Sequence, residues 1–371
     1  MAEFDSFRPP EEPRGPRRRG GGPGSGTGDP GGPRGKKQRR GEELMVPKAQ
    51  FEQYDSYYGK PIVKFPPWEW PIAGYLFLGG VAGGSALLSL GAGATGNREL
   101  QRNTRLTAFA AAGVGSGFLI LDLGRPERML NMFRVFKISS PMSVGSWILG
   151  AFGSTSAIAA AAEVDELTAQ RLPLPGAARG LLQWAATPAG VAAGILGAPL
   201  AVYTAVLLGN TSVPMWQDAH KELPALFVSS AASAASGAAL LTTSTGNAGP
   251  ARALAVAGAA ADVAASRRME ANLTAPLGET VRTGKAGRLL KAAEACVIAG
   301  GAGALLAGRN RAAAALSGAA LMAGSCLTRF GVIQAGRQST EDPKYVVEPQ
   351  RQRLARRREA GQTGDSITTA R

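Results

Sequence analysis

Two phenols set among aliphatic residues are the first groups in this chain with chemical capacity. Tyr75 lies in PPWEWPIAGYLFLGGVAGG (66–84) and Tyr203 in PLAVYTAVLLGNTSVPMWQDAHKELP (199–224). A hydroxyl in such surroundings offers a hydrogen bond where few others exist. A third stretch, LDLGRPERMLNMFRVFK (121–137), brings Asp122 and Arg125 three residues apart, a carboxylate and a guanidinium that pair at low cost where an apolar segment meets water. Glu69 stands between Trp68 and Trp70, while Asp218 and His220 follow Trp216. Asp262 lies inside a further apolar block and Glu294 opens another, and a carboxylate in such a medium is costly enough to mark a functional position.

Each group also has a plainer reading. Trp68, Trp70 and Tyr75 fit an aromatic belt at a lipid–water boundary. Asp122 with Arg125 fits a clamp on a connector, His220 an ordinary loop histidine rather than a proton relay, and Glu294 an interfacial neighbour of Lys291. His220 is the one histidine in the chain, so ligation of a haem by two histidines is excluded. The two cysteines, Cys296 and Cys326, sit in apolar blocks without ligand partners nearby. That excludes a disulfide framework, a zinc site and a Cys-ligated iron–sulfur cluster within this chain.

The elements that must position these groups are legible in composition. Mean hydropathy is −0.02, an average of polar ends and an apolar middle. Residues 1–50 are rich in Pro, Gly and Arg and carry too little apolar surface to repay ordering, which predicts a disordered basic tail. No apolar core follows its charges before residue 72, so it is not a secretory signal. Eight apolar blocks follow, at about 72–94, 106–122, 142–162, 185–209, 225–245, 251–266, 292–308 and 312–335. Stretches such as 143–162 nearly lack charge, whereas a soluble helix needs a charged outer face. The expectation is an all-α integral membrane protein, a bundle of about eight transmembrane helices over residues 51–336, with a basic C-terminal tail over 337–371. Runs such as GGVAGGS and GGAGA permit the close backbone approach that drives helix association in lipid.

The net charge of +14 raises the question of nucleic acid, and the tail offers only non-specific contacts. Its cations have a better account. Eight spans put both termini on one side, together with Arg125–Lys137, the connector read from Arg267 to Lys291, and the final RQRLARRR, while Glu163, Asp165 and Glu166 fall on the other. Cationic excess marks the cytoplasmic face, so both termini are expected inside a bacterial plasma membrane.

The segments WEWPIAGYLFLGGVAGG, LDLGRPERMLNMFRVFKISSPMSVGSWIL and YTAVLLGNTSVPMWQDAHKELPALF together resemble the polysulfide reductase membrane subunit family, of NrfD or PsrC type. The resemblance covers most of residues 66–227 by motif and residues 228–335 by span pattern. It implies a subunit without haem or iron–sulfur cluster of its own that binds a quinone or quinol, of menaquinone or ubiquinone type, near one membrane surface. A four-cluster ferredoxin-like iron–sulfur subunit would dock there, with a molybdopterin-type catalytic subunit beyond.

Carried onto this chain, the resemblance places the quinone region on Trp68–Tyr75, matches Tyr203 to the span-four tyrosine, and matches Asp122 and Arg125 to the Asp-Leu-Gly-Arg-Pro motif. Some relatives use a histidine and an asparagine in span one, and this chain has neither there. Tyr75 and Tyr203 would serve the quinone oxygens, Asp122 with Glu69 or Asp218 the proton route, with His220 beside it, and Arg128, Arg134 and Lys137 the docked partner. Two other classes fit eight Gly-rich spans with embedded carboxylates, namely a secondary transporter or ion-translocating protein, and a purely structural anchor.

Overall fold

The structure, a computed structural model, describes residues 61–361 except residues 172 and 309. The tail expected to be disordered, residues 1–50, lies outside the described residues. The described chain is helical throughout: α1 (Trp70–Ala94), α2 (Arg98–Asp122), a 3-10 segment (Pro126–Phe133), α3 (Pro141–Leu167), α4 (Gly176–Gly209), α5 (Pro214–Asp218), α6 (Leu223–Thr242), α7 (Gly249–Asn272), α8 (Ala275–Arg282), α9 (Gly284–Leu306), α10 (Arg311–Glu341) and α11 (Lys344–Glu359). Starts are set by local chemistry. Asn97, Ser140 and Asn310 each accept a hydrogen bond from a backbone N–H three residues on, satisfying a donor the helix cannot. Prolines open α1, α3, α5 and α6, where no amide hydrogen is needed.

Each of the eight apolar blocks has become one long helix. Seven of them, α1, α2, α3, α4, α6, α9 and α10, are long and apolar enough to cross a membrane. The block at 251–266 forms α7, whose 24 residues also have the length, but Arg252, Asp262, Arg267, Arg268 and Glu270 lower its apolarity. α7 packs against α6 and α9 and buries Asp262, so part of that polarity faces protein.

Several helices extend past the apolar blocks. The stretch 267–291, read as a connector, contains the end of α7, all of α8 and the start of α9, and α10 and α11 carry helix through the basic stretch to Glu359. Apolarity reports the depth of hydrocarbon, whereas the backbone ladder continues through charged turns into water.

The helices alternate in direction, giving a proximal face where α1 begins and a distal face where it ends. The long helices form two groups, α1–α4 and α6, α7, α9 and α10, with α1 packed on α6 and α10 between them. Backbones nearly touch at several crossings, most closely at two. A Cβ on Gly197 would lie 2.5 Å from the Gly83 carbonyl, and one on Gly237 2.6 Å from the Gly318 carbonyl, so α1 with α4 and α6 with α10 accept only hydrogen there. Phe109, Val114, Leu121, Trp184, Ile195 and Leu306 are exposed on the outer surface, as lipid-facing residues are.

The distal face is knit by charge. Glu163 is 1% exposed and receives Arg98 at 2.9 Å and Arg105 at 2.8 Å. Arg98 also reaches Glu166 at 2.6 Å, and Arg179 holds the buried Asp165 at 3.0 Å. Arg311 donates to the Leu240 and Thr243 carbonyls at 2.6 and 2.9 Å, closing the C-terminal end of α6. At the proximal face α11 is pinned to α8, with Lys344 Nζ donating to Glu279 at 2.7 Å. That bond holds the Glu279 carboxyl below its ordinary 4.5 and Lys344 above its ordinary 10.5.

Two outcomes follow. Glu163→Gln leaves Arg105 buried without its counter-charge, and thermal unfolding of the purified chain will show a loss of about 3–5 kcal/mol, as for other broken buried pairs. The Glu279 contact contributes at neutral pH and is lost as acid carries the pH down through its lowered titration point. Amide hydrogen exchange over residues 344–359, corrected for intrinsic rate, will therefore rise a few-fold once the pH is taken below the ordinary carboxylate range, and Glu279→Gln will reproduce the rise at neutral pH.

Candidate functional site

The proximal face is built around Trp216. Its short helix α5 drops the indole into the bundle, where it is fully buried and Nε1 donates to the Val332 carbonyl at 2.8 Å. The ring fills the space a side chain on Gly336 would need. With its N–H satisfied by that carbonyl, the indole can be buried whole. Trp68 stacks on it at 5.6 Å and Phe65 meets it at 5.5 Å. The segment before α1 is thus tied to the segment after α4.

Just beneath lie the two phenols. Tyr75 is five residues from the start of α1 and Tyr203 six from the end of α4, about 8–9 Å into the bundle at 1.5 Å per residue. Tyr75 is 5% exposed, within a core that includes Leu76, Leu208, Leu226, Phe227 and Val332, and Gly115 of α2 makes room beside its ring. Tyr203 is half-buried against the same core, its ring lying where Gly145 of α3 has no side chain. Two hydroxyl-bearing rings thus lie at about one depth, set among aliphatic and aromatic groups.

Asp122 is the last residue of α2 and is half-buried. One turn earlier, Phe118 packs edge-on to Trp70 at 5.4 Å and against Gly74, which brings the end of α2 to the first turn of α1. Gly124 adopts φ +64, a conformation that favours glycine, and Pro126 starts the 3-10 segment. That connector folds back on α3: Phe133 and Phe136 meet the Trp147 ring at 5.7 and 6.1 Å, and the Ser143 hydroxyl donates to the Val135 carbonyl at 3.0 Å. Arg125, Arg128, Arg134 and Lys137 are exposed along it, and Glu69 is exposed at the start of α1.

Asp218 and His220 are engaged in other ways. The Asp218 carboxylate accepts from the Thr274 backbone N–H at 2.8 Å and from its hydroxyl at 3.0 Å, clamping α5 to the start of α8. His220 is exposed, and Nδ1 lies 2.8 Å from the Gln217 carbonyl; a carbonyl only accepts, so Nδ1 carries the hydrogen. Glu294 pairs with Arg267 of α7 at 2.8 Å rather than with Lys291. Among the described residues no cluster of His, Cys, Asp and Glu could hold a metal ion.

Sequence reasoning passed over Arg329, which is 1% exposed and approaches Asp262 from α10. Its signal was present, since it is the one cation in an otherwise uncharged run from residue 312 to 336. Phe118 and Trp216 gave no comparable signal, because their roles rest on partners far away in the chain.

A search of curated proteins finds no match to the chain. The family model described as polysulphide reductase, NrfD matches residues 61–249, just over half of the chain and the part that carries both tyrosines, the Asp122 connector and α5. On that match, the protein belongs to the NrfD family of multi-pass membrane proteins.

Proposed function

We propose that this chain binds quinone or quinol at its proximal face and passes electrons between the membrane quinone pool and a docked iron–sulfur subunit of a molybdopterin-type oxidoreductase. Proteins of its family are generally quinone-interacting membrane subunits of oxidoreductases. The observation that carries the reading for this chain is convergence. Three motifs separated by up to about 150 residues meet at one end of the bundle, joined by the Trp68–Trp216 stack, the Phe118–Trp70 contact and the seating of Tyr203 on α3.

A quinone exchanges two electrons and two protons with its surroundings. In this reading the Tyr75 and Tyr203 hydroxyls donate to its carbonyl oxygens, and the aliphatic wall around them keeps water from the ring. Asp122, half-buried between that layer and the surface, takes or gives the proton, with the exposed Glu69 handing it to water. Asp218, held by Thr274, contributes by fixing α5 over the site, and His220 is a base at its water-exposed edge. Arg128, Arg134 and Lys137 form a cationic strip for the iron–sulfur subunit beside the point where electrons must leave.

In the assembled complex, Tyr75→Phe and Asp122→Asn will each lower quinone-coupled turnover at least about tenfold, the scale of one lost hydrogen bond or proton-transfer group. Turnover with an artificial acceptor that bypasses the membrane will hold. Wild-type quinone rates in both variants would remove the site from this face.

By the positive-inside rule, the cationic connectors and α11 favour a cytoplasmic proximal face in a bacterial cell, with both termini on that side. A C-terminal fusion will accordingly be active with a reporter that works inside and silent with one that works only outside; the reverse pattern inverts the orientation.

A further inference from the structure

The second helix group holds two opposite charges that the proximal site does not employ. Asp262 lies ten residues before the end of α7 and Arg329 twelve before the end of α10, about 15–18 Å from the proximal ends. Both are almost wholly buried, and each lies within the other's field. Among the described residues, no direct ion pair joins them. Arg329 Nη2 donates to the Phe227 carbonyl at 2.8 Å, and the guanidinium rests 3.6 Å above the Phe227 ring. Its Nε and Nη1 have no partner, and neither do Asp262 Oδ2 nor the Ser233 hydroxyl. Polar atoms in a packed interior are satisfied by protein or by water, and here the protein supplies no partner.

Beside Asp262 is a cavity of about 130 Å³ that Ser266, Arg267, Met269, Glu294 and Thr328 also line, the last of these the residue before Arg329. A water needs roughly 10–15 Å³ of such space, so the cavity has room for several. Its rim is charged, with Arg267 bonded to Glu294 at 2.8 Å and Arg282 to Glu270 at 2.5 Å.

We propose that water entering this cavity from the proximal face bridges Asp262 to Arg329 and makes Asp262 a proton-exchanging site at mid-depth in the bundle. A proton delivered along the water adds to the Asp262 carboxylate and leaves by the same route, and no electrons move. The groups that face the carboxylate are Arg329 and Thr328 from α10, Ser230 from α6, Arg267 and Glu270 from its own helix, Arg282 from α8, and Lys291 and Glu294 from α9. Arg329 disfavours a metal cation beside the carboxylate and leaves a proton as the exchangeable ion. When Asp262 is neutral, the Phe227 carbonyl and ring retain the guanidinium. Glu294 and Glu270 are held by arginines at the rim, so Asp262 is the carboxylate presented to the inner water.

Infrared difference spectra of the full chain in lipid vesicles, recorded across pH in H2O and D2O, test this without any quinone. The carboxylic C=O stretch of a buried acid will appear as pH falls, shift in D2O, and vanish in Asp262→Asn. Ser266→Leu, which puts a larger apolar side chain into the cavity lining one turn from Asp262 on the proximal side, will keep the band but slow its deuterium shift at least tenfold. Absence of the band, its persistence in Asp262→Asn, or exchange at the wild-type rate in Ser266→Leu overturns the proposal, and the Ser266 variant decides alone if Asp262→Asn fails to fold. Because no quinone is involved, such a failure leaves the proximal quinone site untouched, and loss of that site leaves this one standing.

Discussion

Everything in this bundle depends on helices being allowed to approach until their backbones touch. In lipid there is little hydrophobic gain in bringing two apolar helices together, so dispersion between closely matched surfaces has to do the work. Gly83 against Gly197 and Gly237 against Gly318 supply that match at the two crossings that hold each helix group together. The same economy of side chains sets the positions of the large ones. Tyr203 takes the place a side chain on Gly145 would have, and Trp216 that of one on Gly336, so the rings of the proximal face are seated by absences elsewhere.

Charge is used differently at the two ends. Distally, acids and arginines from α2, α3 and α4 pair directly, Glu163 and Asp165 are sealed from water, and the result is a rigid cap. Proximally, cations line an exposed connector whose own fold rests on aromatic rings against Trp147. One end is closed by its charges and the other presents them.

Much of this was legible beforehand. The eight blocks, the turn at Gly124 and the depth of both tyrosines were written in apolarity and in glycine and proline positions, which are local signals. The limits of α7 and α9 were not, because Arg267, Arg268 and Lys291 stop an apolar run without stopping a helix. Asp218 was visible as an acid but not as a clamp, since Thr274 lies 56 residues away. Arg329 and Asp262 are 67 residues apart, and only the packing of α7, α6 and α10 brings them into one interior. A residue's chemical capacity is local, whereas its employment depends on contacts that no short window contains.

The Trp216 anchor carries a consequence for the order in which the protein is made. The ring that joins the two motif-bearing segments at the proximal face is itself seated by Val332 and Gly336, more than 110 residues later in the chain. During synthesis, α1 through α4 can insert and pair as they emerge, but the floor under Trp68 and above Tyr75 is incomplete until α10 has entered the membrane. The face is therefore finished only when α10 has been translated, and a ribosome-bound chain ending before α10 would hold all three motifs and still lack the surface they form.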